Sequence, residues 1–269
     1  TGSNLSFAQA KELGIYLLPL QITIDETTYQ DTLEISTQDI YNELANGKMP
    51  KTSMAAYQKI YDLFEELKKD YDTIFAVPLT NGLSTNASTM QSIARELEMN
   101  VHVIDMYATC ALEKHVAIWI KKLVDEHKSS EEILKIIQPA IDESNSLILV
   151  KNLQHLKRGG RLTPMAAALA GLLKIYPVLH INKSTEGRID VLNKVRTEKR
   201  ADTYAIDKIM DDIDIQHTHI YIIHSNFLEG ADHFKKCFIE KGVPEQNIHI
   251  DYISSVIAVH TGLGCIAIQ

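Results

Sequence analysis

The chain has 269 residues, 45% of them hydrophobic and 23% charged, which excludes a disordered or fibrous protein and leaves room for one large domain or two smaller ones. Its formal net charge of −8 argues against nucleic acid as a partner, because such binding rests on phosphate neutralisation by clustered Lys and Arg, so small molecules and proteins remain.

Cys110, Cys237 and Cys265 lie far apart with no CxxC spacing, which fits unpaired thiols in a reducing compartment; a cytoplasmic location is expected. The most apolar stretch, Met165 to Leu173, closes with Lys174 well short of the roughly 20 residues that span a bilayer. No integral membrane segment is expected, and any membrane contact is a transient one at the surface. The opening "TGSNLSFAQAKELG" has neither a basic start nor a long apolar region, so no signal peptide is expected.

In chain order, "GIYLLPLQITIDETTYQD" predicts two strands around an Asp25-Glu26 turn. "PKTSMAAYQKIYDLFEELKKD" then places Tyr57, Ile60, Tyr61, Phe64 and Leu67 on one helical face, with Thr52 or Ser53 as its cap. The run "DTIFAVPL", the helical "STMQSIARELEM", the run "VHVIDM" and the helices "LEKHVAIWIKKLVDEH" and "SSEEILKIIQPAIDES" follow, before "SLILVKNL". Short apolar runs alternating with amphipathic helices predict βαβ units and a parallel sheet. Beyond about residue 155, "LLKIYPVLHI", "GRIDVLNKV", "THIYIIHS" and "HIDYISSVIAV" are strand-like with fewer helices between them. The expected fold is therefore α/β in two domains: a parallel-sheet βαβ domain over 1–155 and a second α/β domain with a mixed or antiparallel sheet over 156–269.

Three stretches could carry chemistry. In "TNGLST", Gly82 permits a sharp reversal, and Ser84 falls where the next helix presents unpaired N–H groups and the positive end of its dipole. From that turn alone an anion site, a nucleophile and a plain helix cap remain equally open. In "HLKRGGRLTPMAAALAGLL", Thr163 suits an N-cap and Pro164 the first helical position. The small residues that follow, Ala167 and Ala170 among them, either admit a neighbouring backbone or leave room for an apolar guest. In "VIAVHTGLGCIAI", two glycines after His260 bend the chain between apolar runs, which predicts that His260 stands at a strand end, where α/β proteins place ligands.

His217 and His219 alternate as ligands on a strand could, but no third ligand has fitting spacing, so no metal is expected. "NKVRTEKR" is either a solvated face or a docking site for an acidic or phosphorylated partner. A P-loop, a GxGxxG after a strand and a HExxH are absent.

Taken together, these stretches resemble the DegV family, the fatty-acid-binding proteins that serve as the lipid-carrying component of bacterial fatty-acid kinase. Family members open with Thr-Asp-Ser, a "PL" strand and an Asp-Gly turn, answered by "TGS", "LLPLQITIDETTYQD" and "EISTQDIYNEL". A Thr-Ser-Gln-Pro-Ser segment is answered by "KTSMAAY", Gly-Leu-Ser-Gly-Thr by "GLSTN", and Gly-Gly-Arg with its small-residue helix by "GGRLTPMAAALAGLL". Lys-Val-Arg and the closing His-x-Gly-x-Gly are matched by "NKVRTEKRA" and "HTGLG". Gly2 replaces the usual Asp, Met54-Ala55 replace Gln-Pro, and Thr85-Asn86 replace Gly-Thr.

The resemblance implies a carrier with no catalytic residue, metal or cofactor of its own. One long-chain fatty acid would lie between the domains, its carboxylate held by Thr52, Ser53, Ser84 and His260, because a carboxylate removed from water needs several donors. Gly82, Arg161, Ala167 and Ala170 would form the acyl pocket or its mouth, and Arg196 would dock the partner fatty-acid kinase that phosphorylates the carboxylate. The rival reading is a serine hydrolase using Ser84 and His260, since "GLSTN" resembles the G-x-S-x-G elbow. Against it, Asn86 stands where the elbow wants Gly, and no HGGG-type segment lies upstream.

Overall fold

The computed structural model describes residues 2–269, so Thr1 of the "TGS" motif lies outside the described residues. The first helix, α1 (Phe7–Leu13), is started by a Ser6–Gln9 capping box and stopped at Gly14. Strands β1 (Gln21–Ile24) and β2 (Thr27–Gln30) form the predicted hairpin, with Asp25 in the left-handed region of the turn. Helix α2 (Thr37–Ala45) follows a Ser36–Asp39 capping box. Strand β3 (Lys51–Ser53) then pairs antiparallel with β1, placing Thr52 opposite Ile22. Thr52 and Ser53 are thus strand residues and not caps; α3 (Tyr57–Leu67) starts at Ala56 without a side-chain cap. Sheet pairing with β1 has outweighed local capping here.

Strand β4 (Thr73–Ala76), helix α4 (Asn86–Glu96) and β5 (Asn100–Val103) make one βαβ unit with parallel strands. Two further helices, α5 (Cys110–Asp125) and α6 (Ser130–Glu143), cover it through Val116, Ile120, Ile133 and Ile137.

The chain enters a third, six-stranded sheet at β6 (Asn145–Leu149), before residue 155, so "SLILV" does not extend the parallel unit. There follow α7 (Leu153–Arg158), α8 (Pro164–Leu169), β7 (Tyr176–Asn182), β8 (Asp190–Val195), α9 (Glu198–Asp212) and β9 (Ile220–His224). The last elements are α10 (Leu228–Glu240), β10 (Ile248–Tyr252), α11 (Ser255–Thr261) and β11 (Ile266–Ile268). Strand order is β10-β9-β11-β6-β7-β8, with β9 and β10 parallel and the other pairings antiparallel. This is the expected α/β architecture, with a small parallel sheet early and a larger mixed sheet late.

Alternation along the strands sorts the core into two layers. Leu147 and Val178 face α9 and α10 with Phe234 and Phe238, whereas Ile148 and Leu179 face the opposite way, with Leu156, Ala258 and Tyr41 from α2. The Tyr41 hydroxyl donates to the carbonyl of Ile253 at 2.6 Å and also lies 3.3 Å from that of His224, tying the first half of the chain to the second.

Two expectations need correction. His260 stands in the last turn of α11 and not at a strand end. The run "VIAV" reads as a strand because it is apolar throughout, but Val256, Ala258 and Val259 are buried on both sides of a short helix. Thr163 and Pro164 do start α8 as predicted, yet the helix stops at Leu169 and does not run on to Leu173. Ala170 is already extended, with φ −66° and ψ 123°, which ends the helix there.

Candidate ligand cleft

Four segments converge on one cleft of about 430 Å³: the end of β3, the turn before α4, the loop between α7 and α8, and the face of α11. The turn carries Asn81 to Thr85. Its sharpness is required, because a side chain on Gly82 would overlap the carbonyl of Gly187 in the β7–β8 connection. Gly187 in turn has positive φ and packs on Thr80, leaving no room for a Cβ.

Asn86 sets the distance between the first two segments. Its buried side-chain oxygen accepts from the Ala55 N–H at 3.1 Å, and its own N–H donates to Ser84 Oγ at 3.3 Å. Ser84 therefore does cap one helical N–H, and its hydroxyl proton remains able to donate elsewhere. Met54 braces the same junction: its sulfur accepts from Thr85 Oγ1 at 3.4 Å and Thr89 Oγ1 at 3.5 Å. Neither role is visible in the sequence, where Asn86 and Met54 register only as departures from the family pattern.

At the polar end, Thr52 Oγ1 and His260 Nε2 are 2.7 Å apart. His260 Nδ1 is buried against the backbone of Gly159. Burial, with the nearby Arg161 cation, pulls the imidazole down to about 4, so it is neutral at ordinary pH. Arg161 lines the cleft, donating from Nη1 to the Gly159 carbonyl at 2.7 Å and from Nε to that of Leu83 at 3.5 Å. Burial alone draws its guanidinium below the usual value, and among the described residues it has no carboxylate in an ion pair. A fixed positive charge, two hydroxyls and a neutral imidazole therefore border a space whose other walls are Leu20, Leu79, Ile189, Val256 and Ile257.

Ser53 also lines the cleft, but its hydroxyl donates to Gln21 Oε1 at 3.1 Å. Gly82 forms part of the wall as expected. Ala167 and Ala170 do not line it, because α8 is short and its buried face is Ala166. Arg196 is exposed between β8 and α9, outside the cleft.

A larger apolar cavity of about 580 Å³ lies between residues 14–18, α3, β4 and α5, and contains none of the expected site residues. Glu113 borders it, fully buried and raised to about 7 by that burial, with one oxygen accepting from the Gly2 N–H at 3.2 Å. The smaller cleft is taken as the candidate site because its polar groups converge at one end.

The hydrolase reading is not supported. The Nε2 of His260 is engaged by Thr52 and not by Ser84, and among the described residues no carboxylate hydrogen-bonds to its ring. Without an oriented base, Ser84 is not activated as a nucleophile. No group of three or more metal-ligating side chains able to hold an ion occurs among the described residues, and no described helix is long and apolar enough to cross a membrane.

The fold and the cleft define an α/β protein with a cleft lined by residues from both halves of the chain. The chain belongs to the DegV family, whose model, described as an uncharacterised protein family, matches residues 1–269. A fatty-acid-binding DegV family protein from Streptococcus agalactiae has 29% identity and a TM-score of 0.91, covering 100% of this chain and 95% of that one. The fatty-acid-binding DegV protein of Bacillus subtilis has 26% identity and a TM-score of 0.83, covering 97% and 93%. A DegV domain-containing protein of Streptococcus pyogenes is 31% identical over 96% of this chain and 91% of its own length.

Proposed function

We propose that this protein binds one long-chain fatty acid in the cleft, with the carboxylate toward Arg161, Ser84 and Thr52 and the chain along the apolar wall. The observation that carries this reading is an unpaired, half-buried guanidinium beside two hydroxyls at one end of an apolar cleft. With its proton on Nε2, the neutral His260 donates to Thr52 Oγ1 and leaves the threonine hydroxyl free to donate to the ligand. His260 then acts through Thr52 as a positioning residue. Charge-assisted bonds of this kind contribute about 1.5–3 kcal/mol each, while the tail adds ~0.8 kcal/mol per buried methylene.

Neutral hydroxyl donors suit a headgroup that is held and then handed over. The protein is proposed to work in the cytoplasm as a non-catalytic carrier, presenting the carboxylate for phosphorylation by a partner fatty-acid kinase, with exposed Arg196 in the docking surface. Arg161 would also position the acyl phosphate. The exposed Met165, Leu172 and Leu173 beside Lys174 supply a site for transient contact with a membrane surface, where fatty acid is exchanged.

Native mass spectrometry of the purified protein tests the binding reading: about one fatty acid per chain is expected, and a lipid-free protein that also fails to retain added oleate overturns it. Arg196→Glu tests docking; unchanged phosphorylation of bound fatty acid by a fatty-acid kinase removes Arg196 from that role.

A further inference from the structure

Helix α5 comes from the first half of the chain and lies against the β9–β10 edge of the large sheet, and the contact between them is rich in basic groups. Lys114 Nζ meets Asp251 Oδ2 at 2.9 Å, both side chains partly buried. One residue on, the His115 ring packs on Tyr221 at 4.5 Å between centroids, and Tyr221 packs on His249 at 4.8 Å. His249 stacks in turn on His219, with Nε2 of the first 2.8 Å from Nδ1 of the second. These side chains come from all three elements: Lys114 and His115 from α5, Tyr221 from β9 with His219 just before it, and His249 and Asp251 from β10.

The contact holds only while the imidazoles carry few protons. A hydrogen bond between His219 Nδ1 and His249 Nε2 needs one bare nitrogen; with both rings protonated, N–H faces N–H. With His115 and His249 as imidazolium rings beside Lys114, three cations would face the single carboxylate of Asp251. We propose that this cluster is an acid-released latch between α5 and the β9–β10 edge, closed at neutral pH and loosened by protonation of His115 and His249. Burial, reinforced by Lys114 and the neighbouring imidazoles, lowers both His115 and His249. The sign follows: the open form binds protons first, so closure is favoured above the ordinary histidine value and lost as pH falls below it. Because the fatty-acid cleft is also built from both halves, release would speed ligand exchange, a consequence that rests on the binding function proposed above.

Trp119, the only tryptophan, lies one turn beyond His115 on the same helix, so its quenching reads the exposure of that stretch of α5. Acrylamide quenching of ligand-free protein is measured at about pH 7.5 and about pH 5.5, across the ordinary histidine range, with far-UV circular dichroism at both. A higher quenching constant at the lower pH with unchanged secondary structure is expected, and a His219→Gln/His249→Gln protein should lose most of the rise. A flat wild-type profile, a rise that survives in the double variant, or a rise accompanied by loss of helix overturns the latch. No ligand enters that measurement, so its outcome is independent of fatty-acid binding. Exchange of a fluorescent fatty acid, measured in parallel, should quicken with the Trp119 change; protein that retains no fatty acid at the higher pH defeats the binding reading and leaves the Trp119 result standing.

Discussion

Thr52 Oγ1 lies 2.7 Å from His260 Nε2 although 208 residues separate them, one in the middle of β3 and the other in the last turn of α11. The pair joins the two halves of the chain at the polar end of the cleft. Thr52→Val keeps the side-chain volume and removes the hydroxyl, and Ser84→Ala removes the second donor. Each should weaken fatty-acid affinity by about 1.5–3 kcal/mol, roughly 10- to 100-fold, in a fluorescent fatty-acid displacement titration. Unaltered affinity in either variant removes that residue from the headgroup site.

His260 gives a pH prediction. Its folded value of about 4 lies below the ordinary 6.5, so the folded state is favoured by the neutral ring. That contribution is complete above about pH 6.5, where both states are neutral, and is lost as pH falls toward 4, because the unfolded chain takes up the proton first. The loss is at most ~3 kcal/mol from this group. Urea unfolding of wild type and His260→Gln at successive pH values should show a shallower acid decline in the variant; parallel curves would show that His260 does not drive it.

The Gly82–Gly187 crossing is a point of close backbone approach. Gly82→Ala places a methyl group in the Gly187 carbonyl, and Gly187→Ala adds both a clash with Thr80 and a strained positive φ. Both should lower stability by about 1–3 kcal/mol or more, read as a drop in the unfolding midpoint. Gly160→Ala is the comparison: its Cβ would meet nothing within 4 Å, so only its positive φ opposes the change and the loss should be smaller.

Tyr41 offers a test of the contact between the halves. Tyr41→Phe keeps the ring in the core and withdraws the donor from the carbonyls of Ile253 and His224. A destabilisation of about 1–3 kcal/mol is expected for unsatisfied buried groups; chemical denaturation at neutral pH measures it.

The exposed Leu172 and Leu173 allow a test of the proposed membrane contact. Leu173 is 88% exposed, so Leu173→Glu should leave the unfolding temperature within a degree or two, as surface changes do. It should slow transfer of fatty acid between the protein and anionic vesicles. Transfer at the wild-type rate would show that this patch does not meet the membrane.

The sequence by itself determined the element types wherever periodicity was strong: the amphipathic faces of α3 and α6, the β1–β2 hairpin around Asp25, and the Thr163–Pro164 start of α8. It also singled out Thr52, Ser84, Arg161 and His260, because their flanking motifs occur in a specific order along the chain. Those signals are local, and local chemistry is what a linear pattern records. Tertiary structure alone decided the rest. "VIAV" became a helix because it is buried on both sides, and β6 joined the later sheet because its partners β7 and β11 lie there. Asn86 became the clamp between Ala55 and Ser84, while Ala167 and Ala170 fell away from the cleft when α8 stopped early. Which residues share a cavity depends on how distant segments pack, and one-residue changes in register or helix length redirect a side chain entirely.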